Sequence, residues 1–558
     1  MKKLLIILSV LLCMSTSLHA QVNKEVEVTK AYIPTVPKAE KPLVKATIVD
    51  TTYINLDVDY HITPLSINTP LQSKPISPAT ITYLEFNRSS MAQLKIGAGY
   101  PFNTLLKGYA SGHNADVGYV AAKVDHFGNY SKIESIVGDY VDATEVLNSA
   151  AVDAGLYLGR YTLSSGLSYS NDSYRRYAFE QSDSPRVRYQ DVDIALNFGD
   201  NFIDLSRLNF NLGAEYSHFI DRESTVNNSL YLRSDIGRSV ALGDLTFGVD
   251  YKHIEGSRQY RNSTTSIYAS IFDTYASWQM ELGLRYYNDN TVLNSGSASI
   301  YHYIIPNFRI KRAVRARLTP FLEIGGHLTQ NSFEELVTIN PFIASGEADK
   351  SSVEYNLAAG VERSSTTGVF NYKLYFGYDI ELNSRFYRLN VVEELNDLAE
   401  LSVFNNFFEL DLVRLNRSSL NAQLNYMPST NFSMSLDGHI YSYATPNGIP
   451  YTYSPSKVDA TFGVKYTPRS FTIGAQANYR SVSSYSVRYI SQDSQTWSEP
   501  VVNLPASVNL SAYIDWSANE KYSIFVEGDN LLGEDIYRWP LYRGYGARFT
   551  AGVKINFR

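Results

Sequence analysis

The residues that could do catalytic chemistry in this sequence are few and dispersed. His113, His126, His218 and His253 sit near the ends of predicted strands, and no pair has zinc-ligand spacing. The single cysteine, Cys13, lies in the N-terminal apolar stretch, so no disulfide or thiolate chemistry is expected later in the chain. The sequence holds no nucleophile elbow and no phosphate-cradling glycine loop. We therefore predict no enzymatic activity and no cofactor.

Two short acidic clusters are candidate metal ligands. They read "DVD" at 191–193 and "NDN" at 288–290. Carboxylate and amide oxygens suit Ca²⁺, but a calcium site needs six or more converging oxygens. The alternative interpretation, solvated polar residues at a rim, needs no such convergence and is favoured.

Apolar and polar residues alternate strictly through most of the chain, which is the signature of strands with one oily and one wet face. In "WQMELGLRYY" (278–287), Trp278, Met280 and Leu282 alternate with polar neighbours. The stretches "VFNYKLYFGYDI" (369–380), "VDATFGVKYT" (458–467) and "VNLSAYIDW" (508–516) repeat the pattern. Helical periodicity is hard to find anywhere.

Ionisable residues on these strands keep to the polar phase. A lysine or arginine facing lipid at mid-membrane costs about 2–4 kcal/mol, so in a membrane barrel this phase must face the lumen. Three roles stay open for them: selecting solutes, holding the N-terminal segment through its lysines, or simply lining a wet interior. The predicted lumen-facing residues are Glu281, Arg285, Lys373, Asp379, Lys465, Asp515, Glu527, Arg548 and Lys554.

The elements that carry these residues predict an all-β fold, an antiparallel transmembrane β-barrel of about 22 strands (range 20–24) over residues 85–558. Beyond the N-terminus no apolar run of about 18 residues could form a spanning helix. Tight links such as 158–163 and 466–471 alternate with long polar stretches such as 127–148, 171–185, 329–352, 383–404 and 483–500. Short turns at one rim and long loops at the other are typical of outer-membrane barrels. The competing folds are a secreted β-sandwich and a propeller.

The tyrosine content and the charge agree with a membrane location. The chain has 44 tyrosines, whose apolar ring and polar tip suit the boundary between hydrocarbon and water. Loss of Lys2 and Lys3 with a signal peptide leaves 47 basic against 56 acidic residues, a net charge of −9. That balance argues against nucleic acid as a partner.

The N-terminus predicts export. Residues 1–20 have the layout of a secretory signal peptide, with Lys2 and Lys3 before an apolar core and Ala20 at the cleavage site. Residues 21–84 hold seven of the 20 prolines and predict an extended leader in the periplasm, because proline lacks the donor that a sheet ladder needs. The leader either stays flexible or docks inside the barrel or onto a partner protein.

The final strand, "RFTAGVKINFR" (548–558), alternates Phe549, Val553, Ile555 and Phe557 with polar residues. A barrel must close its last strand against its first, which explains an ordered strand at this position.

The segment "FVEGDNLLGEDIYRWPLYRGYGARFTAGVKINF" (525–557) resembles the C-terminal end of TonB-dependent receptor barrels. Asn530, Leu531, Tyr537, Trp539, Gly546, Arg548 and Phe557 stand at that pattern's recurrent positions. "VTKAYIPTVPKAEK" (28–41) and "KIGAGYPFNTLLKGYASGH" (95–113) are similar to a narrower group of such proteins in Bacteroidota. The sequence departs from receptors of that class because residues 21–84 are too short, and lack the glycine-studded pattern, for a full plug domain.

The resemblance implies a location in the bacterial outer membrane, contacts with its lipid and lipopolysaccharide, and insertion by the barrel-assembly machinery. The C-terminal residues Phe549, Val553, Ile555 and Phe557 would be the insertion signal. Glu25, Val26, Glu27, Val28 and Thr29 could form a TonB-box-like stretch, gripped by strand addition.

Two functions follow as hypotheses. The first is passage or uptake of a solute through a barrel that its leader or loops occlude. The second is a non-transport platform in an outer-membrane assembly or secretion complex, with residues 21–84 or the loops binding a periplasmic or outer-membrane partner protein.

The C-terminal strand gives the first testable prediction. Truncation after Lys554 removes Ile555 and Phe557, and should abolish insertion because the closing strand loses its end and its signal. Immunoblots of outer-membrane fractions would measure this, and a normal level of the truncated chain would contradict it.

Overall fold

The computed structural model describes residues 91–557, with gaps at 135–139, 179–185, 201, 203, 294–295, 313–317, 364–367, 396–400, 446–454 and 492–496. The predicted signal peptide, the leader and the Glu25–Thr29 stretch lie outside the described residues and stay predictions. No helix within the described part of the chain is both long and apolar enough to cross a membrane.

The described residues form 29 strands and one short α-helix. The first strands are β1 (Ala92–Tyr100), β2 (Asn103–Asn114), β3 (Gly118–Asn129), β4 (Lys132–Glu134), β5 (Tyr140–Asp142), β6 (Glu145–Leu158), β7 (Tyr161–Arg175), β8 (Arg186–Gly199), β9 (Asn209–Asp221), β10 (Val226–Val240), β11 (Gly243–Gly256), β12 (Arg261–Tyr275), β13 (Trp278–Val292), β14 (Ala298–Arg312) and β15 (Thr319–Asn331). Helix α1 (Phe333–Ile339) follows β15.

The remaining strands are β16 (Asp349–Arg363), β17 (Phe370–Leu395), β18 (Leu401–Ser429), β19 (Phe432–Ala444), β20 (Val458–Tyr466), β21 (Phe471–Arg480), β22 (Ser483–Ser491), β23 (Trp497–Ser498), β24 (Val501–Leu504), β25 (Ser507–Ser517), β26 (Tyr522–Asp529), β27 (Tyr537–Trp539), β28 (Tyr542–Arg543) and β29 (Arg548–Phe557).

Twenty-two of these strands close into one antiparallel barrel, as the alternation predicts. They are β1–β3, β6–β21, β25, β26 and β29. The ring closes where β29 pairs with β1, from Phe557 opposite Ala92 to Phe549 opposite Tyr100. The predicted fold class is confirmed, and the sandwich and propeller alternatives are excluded.

The outer face is an apolar band. Phe549, Val553 and Phe557 alternate with inward polar residues along β29 and have 43–49% of their surface exposed. Leu282 and Leu284 on β13 behave in the same way. Exposed apolar residues that recur on one face of most barrel strands match a surface in contact with hydrocarbon.

Short turns and long loops lie at opposite rims. Residues 115–117, 159–160, 241–242 and 276–277 connect strands at the rim where β1 begins, here called the short-turn rim. Residues 130–144, 332–348, 481–506 and 530–547 connect strands at the other end, the long-loop rim. This arrangement was predicted from the spacing of the polar stretches.

The stretch 383–404 is an exception, because the prediction of a polar loop there is wrong. Its described residues belong to β17 and β18, which are 26 and 29 residues long and pair with each other far beyond the barrel wall. We call the projecting parts (386–395 and 401–412) the arm. β22 adds to β17 in parallel, so polar residues of the arm gain sheet hydrogen bonds that a loop would lack.

The barrel wall is weakest between β14 and β15. These strands pair only from Phe308 to Lys311, opposite Phe321 to Ile324, whereas β13 and β14 pair along their whole length. Just beyond this short ladder, Pro306 has no N–H to donate, and Gly326 has a positive φ of 156°. The two strands therefore separate towards the long-loop rim.

Freed from β14, the ends of β15 and β16 at the long-loop rim bend into the barrel. The Gln330 amide of β15 donates to Thr264 Oγ1 at 2.8 Å. Thr264 lies on the inner face of β12, which is not a neighbour of β15 in the barrel wall. The Asn262 amide donates to Ser351 Oγ on β16 at 3.1 Å and to the buried Asp289 at 3.0 Å. This buried polar network fastens the β15–β16 hairpin to the inner wall and carries α1 into the mouth.

Substitution of Gly552 on β29 provides a test of barrel closure. A Cβ at this position would lie 1.9 Å from the carbonyl oxygen of Ile96 on β1, whereas one at Gly438 on β19 would meet no atom within 4 Å. We expect Gly552→Val to prevent the β1–β29 ladder and Gly438→Val to be tolerated. Heat-modifiable migration in gel electrophoresis measures the fraction of folded barrel. Equal folding of both variants would contradict the closure geometry.

Candidate functional site: the cap at the long-loop rim

The long-loop rim is covered by a packed apolar cluster, which we call the cap. It combines residues 332–345, the arm and residues 537–545, with side chains from the walls around them. At its centre, the ring of the fully buried Tyr542 stacks on Phe342 with centroids 4.0 Å apart and meets Tyr177 edge-on at 5.1 Å. The Tyr542 hydroxyl donates to Asn406 Oδ1 at 2.5 Å, so its buried polar atom is satisfied.

Backbone pairing joins residues 332–345, which we call the infolded segment, to the arm. Ile343 forms a parallel bridge with Phe408 on β18. The Ala344 N–H donates to the Phe408 carbonyl at 2.8 Å, and the Phe408 N–H donates to the Phe342 carbonyl at 3.1 Å. The segment thus becomes an extra strand beside the arm, which satisfies backbone groups that the cap buries.

Helix α1 packs against the wall formed by β8, β9 and β10. Ser332 caps its N-terminus by accepting from the Glu335 N–H at 3.3 Å. Phe333 packs edge-on against Phe219, with ring centroids 5.6 Å apart. Arg385 of β17 forms an ion pair with Glu335 at 3.1 Å. Seven residues make too short a helix to be stable alone, so these tertiary contacts hold it.

Glu334 brings a third carboxylate to the "DVD" cluster. Its oxygens accept from Ser217 Oγ and Asn227 Nδ2, both at 3.0 Å. Oxygens of Asp191, Asp193 and Glu334 all lie within 4.8 Å of one another. Burial and the neighbouring Asp191 charge raise the pKa of the Glu334 carboxyl to about 7. These are the residues that could hold a divalent cation, and the sequence alone missed Glu334 because it lies 141 positions after Asp193.

Ion pairs fasten the β27–β28 segment over the mouth. Arg538 Nη1 contacts both oxygens of the buried Glu145 at 3.0 and 3.1 Å. Arg543 contacts Glu134 of β4 at 3.1 Å. Trp539 packs its ring 5.2 Å from Tyr387 and 5.5 Å from Phe408. The Asn530 amide donates to the Glu534 and Tyr545 carbonyls. Trp539 and Asn530, two positions that carry the family resemblance, therefore have structural roles.

The nine ionisable residues predicted to face the lumen alternate with the exposed apolar residues of their strands. Lys465 lies on β20 opposite in phase to the exposed Phe462 and Tyr466. The other eight form contacts between strands: Arg285 with Asp250 at 3.1 Å, Asp379 with Arg417 at 2.9 Å, Arg548 with Asp529 at 2.8 Å, Asp515 with Lys554 at 3.1 Å, Lys373 with Glu323 at 3.9 Å, Glu527 with Lys95, and Glu281 with the Asn307 amide at 2.7 Å.

The remaining candidates take structural positions. His126 bonds Thr104 and Asn148, and His218 bonds Asn228 at 2.7 Å. Asp289 of the "NDN" cluster is fully buried and accepts from Thr264 Oγ1 at 2.8 Å. The proposed insertion residues Phe549, Val553 and Phe557 lie on the outer face with Ile555, which is half-buried.

Comparison with solved structures identifies the fold. The FrpB iron transporter from Neisseria meningitidis matches with a TM-score of 0.64 at 10% identity, over 85% of this chain and 82% of that one. The pyoverdine outer membrane receptor FpvA from Pseudomonas aeruginosa PAO1 matches with a TM-score of 0.61 at 11% identity, over 84% and 79%. The copper transporter OprC gives 0.59 at 12% identity, over 84% and 80%.

This chain shares their large β-barrel fold. At such low identities the likeness establishes the fold alone. No protein-family model matches the sequence, and no curated protein matches it.

The raised pKa of the Glu334 carboxyl predicts that closure of the cap depends on pH. Its pKa rises from 4.5 in an open, solvated loop to about 7 in the closed cap. Between pH 4.5 and about pH 7, the Glu334 carboxyl is therefore protonated in the closed cap and ionised in the open loop. Closure is consequently strongest below pH 4.5 and weakens as the pH rises to about 7.

We expect amide exchange in α1, corrected for intrinsic rates, to increase between about tenfold and a hundredfold from pH 5 to pH 8. Glu334→Gln should reduce this dependence strongly, while Asp116→Asn in an exposed turn at the opposite rim should preserve it. A dependence that is unchanged in Glu334→Gln would contradict the assignment.

Proposed function

We propose that this chain is an outer-membrane barrel for the uptake or passage of a solute, with the cap as its gate. The single observation that carries the proposal is a polar inner wall beneath an apolar cap of inserted segments. A barrel of 22 strands is wide enough to leak unless something fills it. The cap covers the mouth without belonging to the wall, so it can move while the barrel stays closed.

The way in which the cap is held supports gating. Its centre depends on side-chain packing around Tyr542 and on surface-accessible pairs such as Arg543 with Glu134. Only a short stretch of backbone pairing, around Phe408, joins residues 342–344 to the arm. Exposed ion pairs are individually worth about 1 kcal/mol or less, so a ligand that binds the open state can displace them.

The inner wall supports a polar cargo. Opposite charges alternate on neighbouring strands, as in Arg285 with Asp250 and Lys554 with Asp515. These pairs leave an interior that is polar but largely neutralised, which suits a hydrated solute better than an apolar one. The iron, pyoverdine and copper in the neighbours' names are consistent with a transport role, without naming this chain's solute.

The proposal places the short-turn rim in the periplasm and the long-loop rim outside the cell. Short periplasmic turns and longer external loops are the usual arrangement in outer-membrane barrels. Lipopolysaccharide would then surround the long-loop half, and the barrel-assembly machinery would insert the chain through its C-terminal strand.

Conductance across planar lipid bilayers tests the gate. Removing the Tyr542 ring costs the cap about 3 kcal/mol, a population shift of about a hundredfold towards open states. We expect Tyr542→Ala to conduct far more often than wild type, while Tyr275→Ala, at an exposed position of the opposite rim, stays closed. Heat-modifiable migration would first establish that each variant is folded.

Deletion of residues 21–80 provides the second arm of the experiment, because the leader is the other candidate for occluding the lumen. If neither the deletion, nor Tyr542→Ala, nor the two together raise conductance above wild type, the transport proposal is wrong. A stoichiometric partner protein that copurifies with a non-conducting barrel would then favour the platform.

A further inference from the structure

Four arginines line one cavity at the long-loop rim. The cavity has a volume of about 330 Å³ and lies between β8, the turn after β9 and the infolded segment before β16. Its basic residues are Arg176, Arg186, Arg188 and Arg222. Most other arginines of the described chain, including Arg285, Arg385, Arg417, Arg538 and Arg548, form ion pairs with carboxylates.

Arg176 is the deepest of the four, with only 8% of its surface exposed. Its Nη2 donates to the Ile343 carbonyl at 3.2 Å. Its Nε has no hydrogen-bond partner among the described residues, and none of their carboxylates forms an ion pair with it. Among the described residues the buried guanidinium therefore has no counter-charge, and burying an uncompensated guanidinium is costly.

The other three arginines are positioned by neutral acceptors. Arg186 Nε donates to Ser173 Oγ at 2.6 Å, and Arg188 Nε donates to Asn171 Oδ1 at 2.9 Å. Arg222 Nη1 donates to the Arg186 carbonyl at 3.1 Å. Each bond uses a single nitrogen and orients a fork of donors without neutralising its charge.

Two carboxylates also line the cavity. Asp221 is already engaged, since its Oδ1 accepts from the N–H groups of Glu223 and Thr225 at 2.8 Å and its Oδ2 accepts from Ser345 Oγ at 2.5 Å. Glu223 is exposed and forms no ion pair with the four arginines. With four cations against two anions, the described residues of the lining carry a net charge of +2.

We propose that this cavity binds a phosphate group, in the form of a phosphomonoester. A dianion would balance the net charge, and guanidinium forks match phosphate oxygens in bidentate geometry. The buried Arg176 would contact the anion at the base of the cavity, and Arg186, Arg188 and Arg222 would close around it. The site does not depend on whether the barrel transports a solute.

The same chemistry has two sources, a lipid headgroup phosphate and a soluble phosphorylated molecule. Calorimetric titration of the detergent-solubilised full chain with inorganic phosphate probes the soluble source. Nanodiscs of phosphatidylcholine containing either bisphosphorylated or dephosphorylated lipid A, followed by native mass spectrometry of retained lipid, probe the membrane source.

We expect saturable binding of at least one phosphate probe by wild type, weakened about tenfold or more by Arg176→Gln. Because Arg176 is buried, its substitution could disturb folding. The double variant Arg188→Gln/Arg222→Gln alters exposed groups and should weaken binding by a similar factor. Arg238→Gln, an exposed arginine at the short-turn rim, is the matched control and should bind like wild type.

Phosphate binding alone would assign the site to a soluble ligand, and retention of only bisphosphorylated lipid A would assign it to a lipid headgroup. The proposal is overturned if wild type binds neither probe saturably. It is also overturned if Arg238→Gln weakens binding as much as the cavity variants, because the attraction would then be general surface charge.

Discussion

Every backbone donor and acceptor in a lipid-facing strand needs a partner, and the rest of this structure depends on that constraint. The β29–β1 ladder meets it by closing the ring, with Gly552 and Gly97 opposite each other where the two backbones approach closely. Once the ring contains 22 strands, its lumen is too wide for inward side chains to fill. A closed wall of this size therefore leaves a wide mouth that other segments must cover.

The same constraint explains where the closing segment comes from. The β14–β15 ladder is short, and the hairpin released beyond it recovers its lost interactions inside the barrel. The buried amides of Asn262 and Gln330 replace part of the missing ladder with side-chain bonds to the inner wall. Residues 342–344 recover backbone bonds from Phe408 on the arm. A local weakness in the wall and the cap are therefore two parts of one arrangement.

Period-two alternation was enough to predict the barrel, because each strand's pattern is local and a wrong phase would bury charge in lipid. It also predicts that Glu281, Arg285 and the other ionisable strand residues share the inward phase. The cap could not be predicted in this way. Tyr542, Phe342 and Phe408 lie in three separate segments, and nothing in the spacing of apolar residues within a loop says which distant loop they contact. The sequence predicts a polar loop in place of the arm for a related reason, since polar residues paired above the membrane lack the lipid-facing alternation.

The cap and the arginine cavity share the segment after α1, which links the two sites physically. Ile343 pairs with Phe408 on one side and accepts from Arg176 on the other, while Ser345 bonds Asp221 at the cavity wall. An anion at Arg176 would lower the cost of burying that guanidinium and so stabilise the closed position of the segment. Deprotonation of Glu334, at the other end of the same infolded loop, acts in the opposite direction. A cap fastened at both ends by charge would respond to ligand and pH through one moving element, while the hydrogen-bonded ring around it stays unchanged.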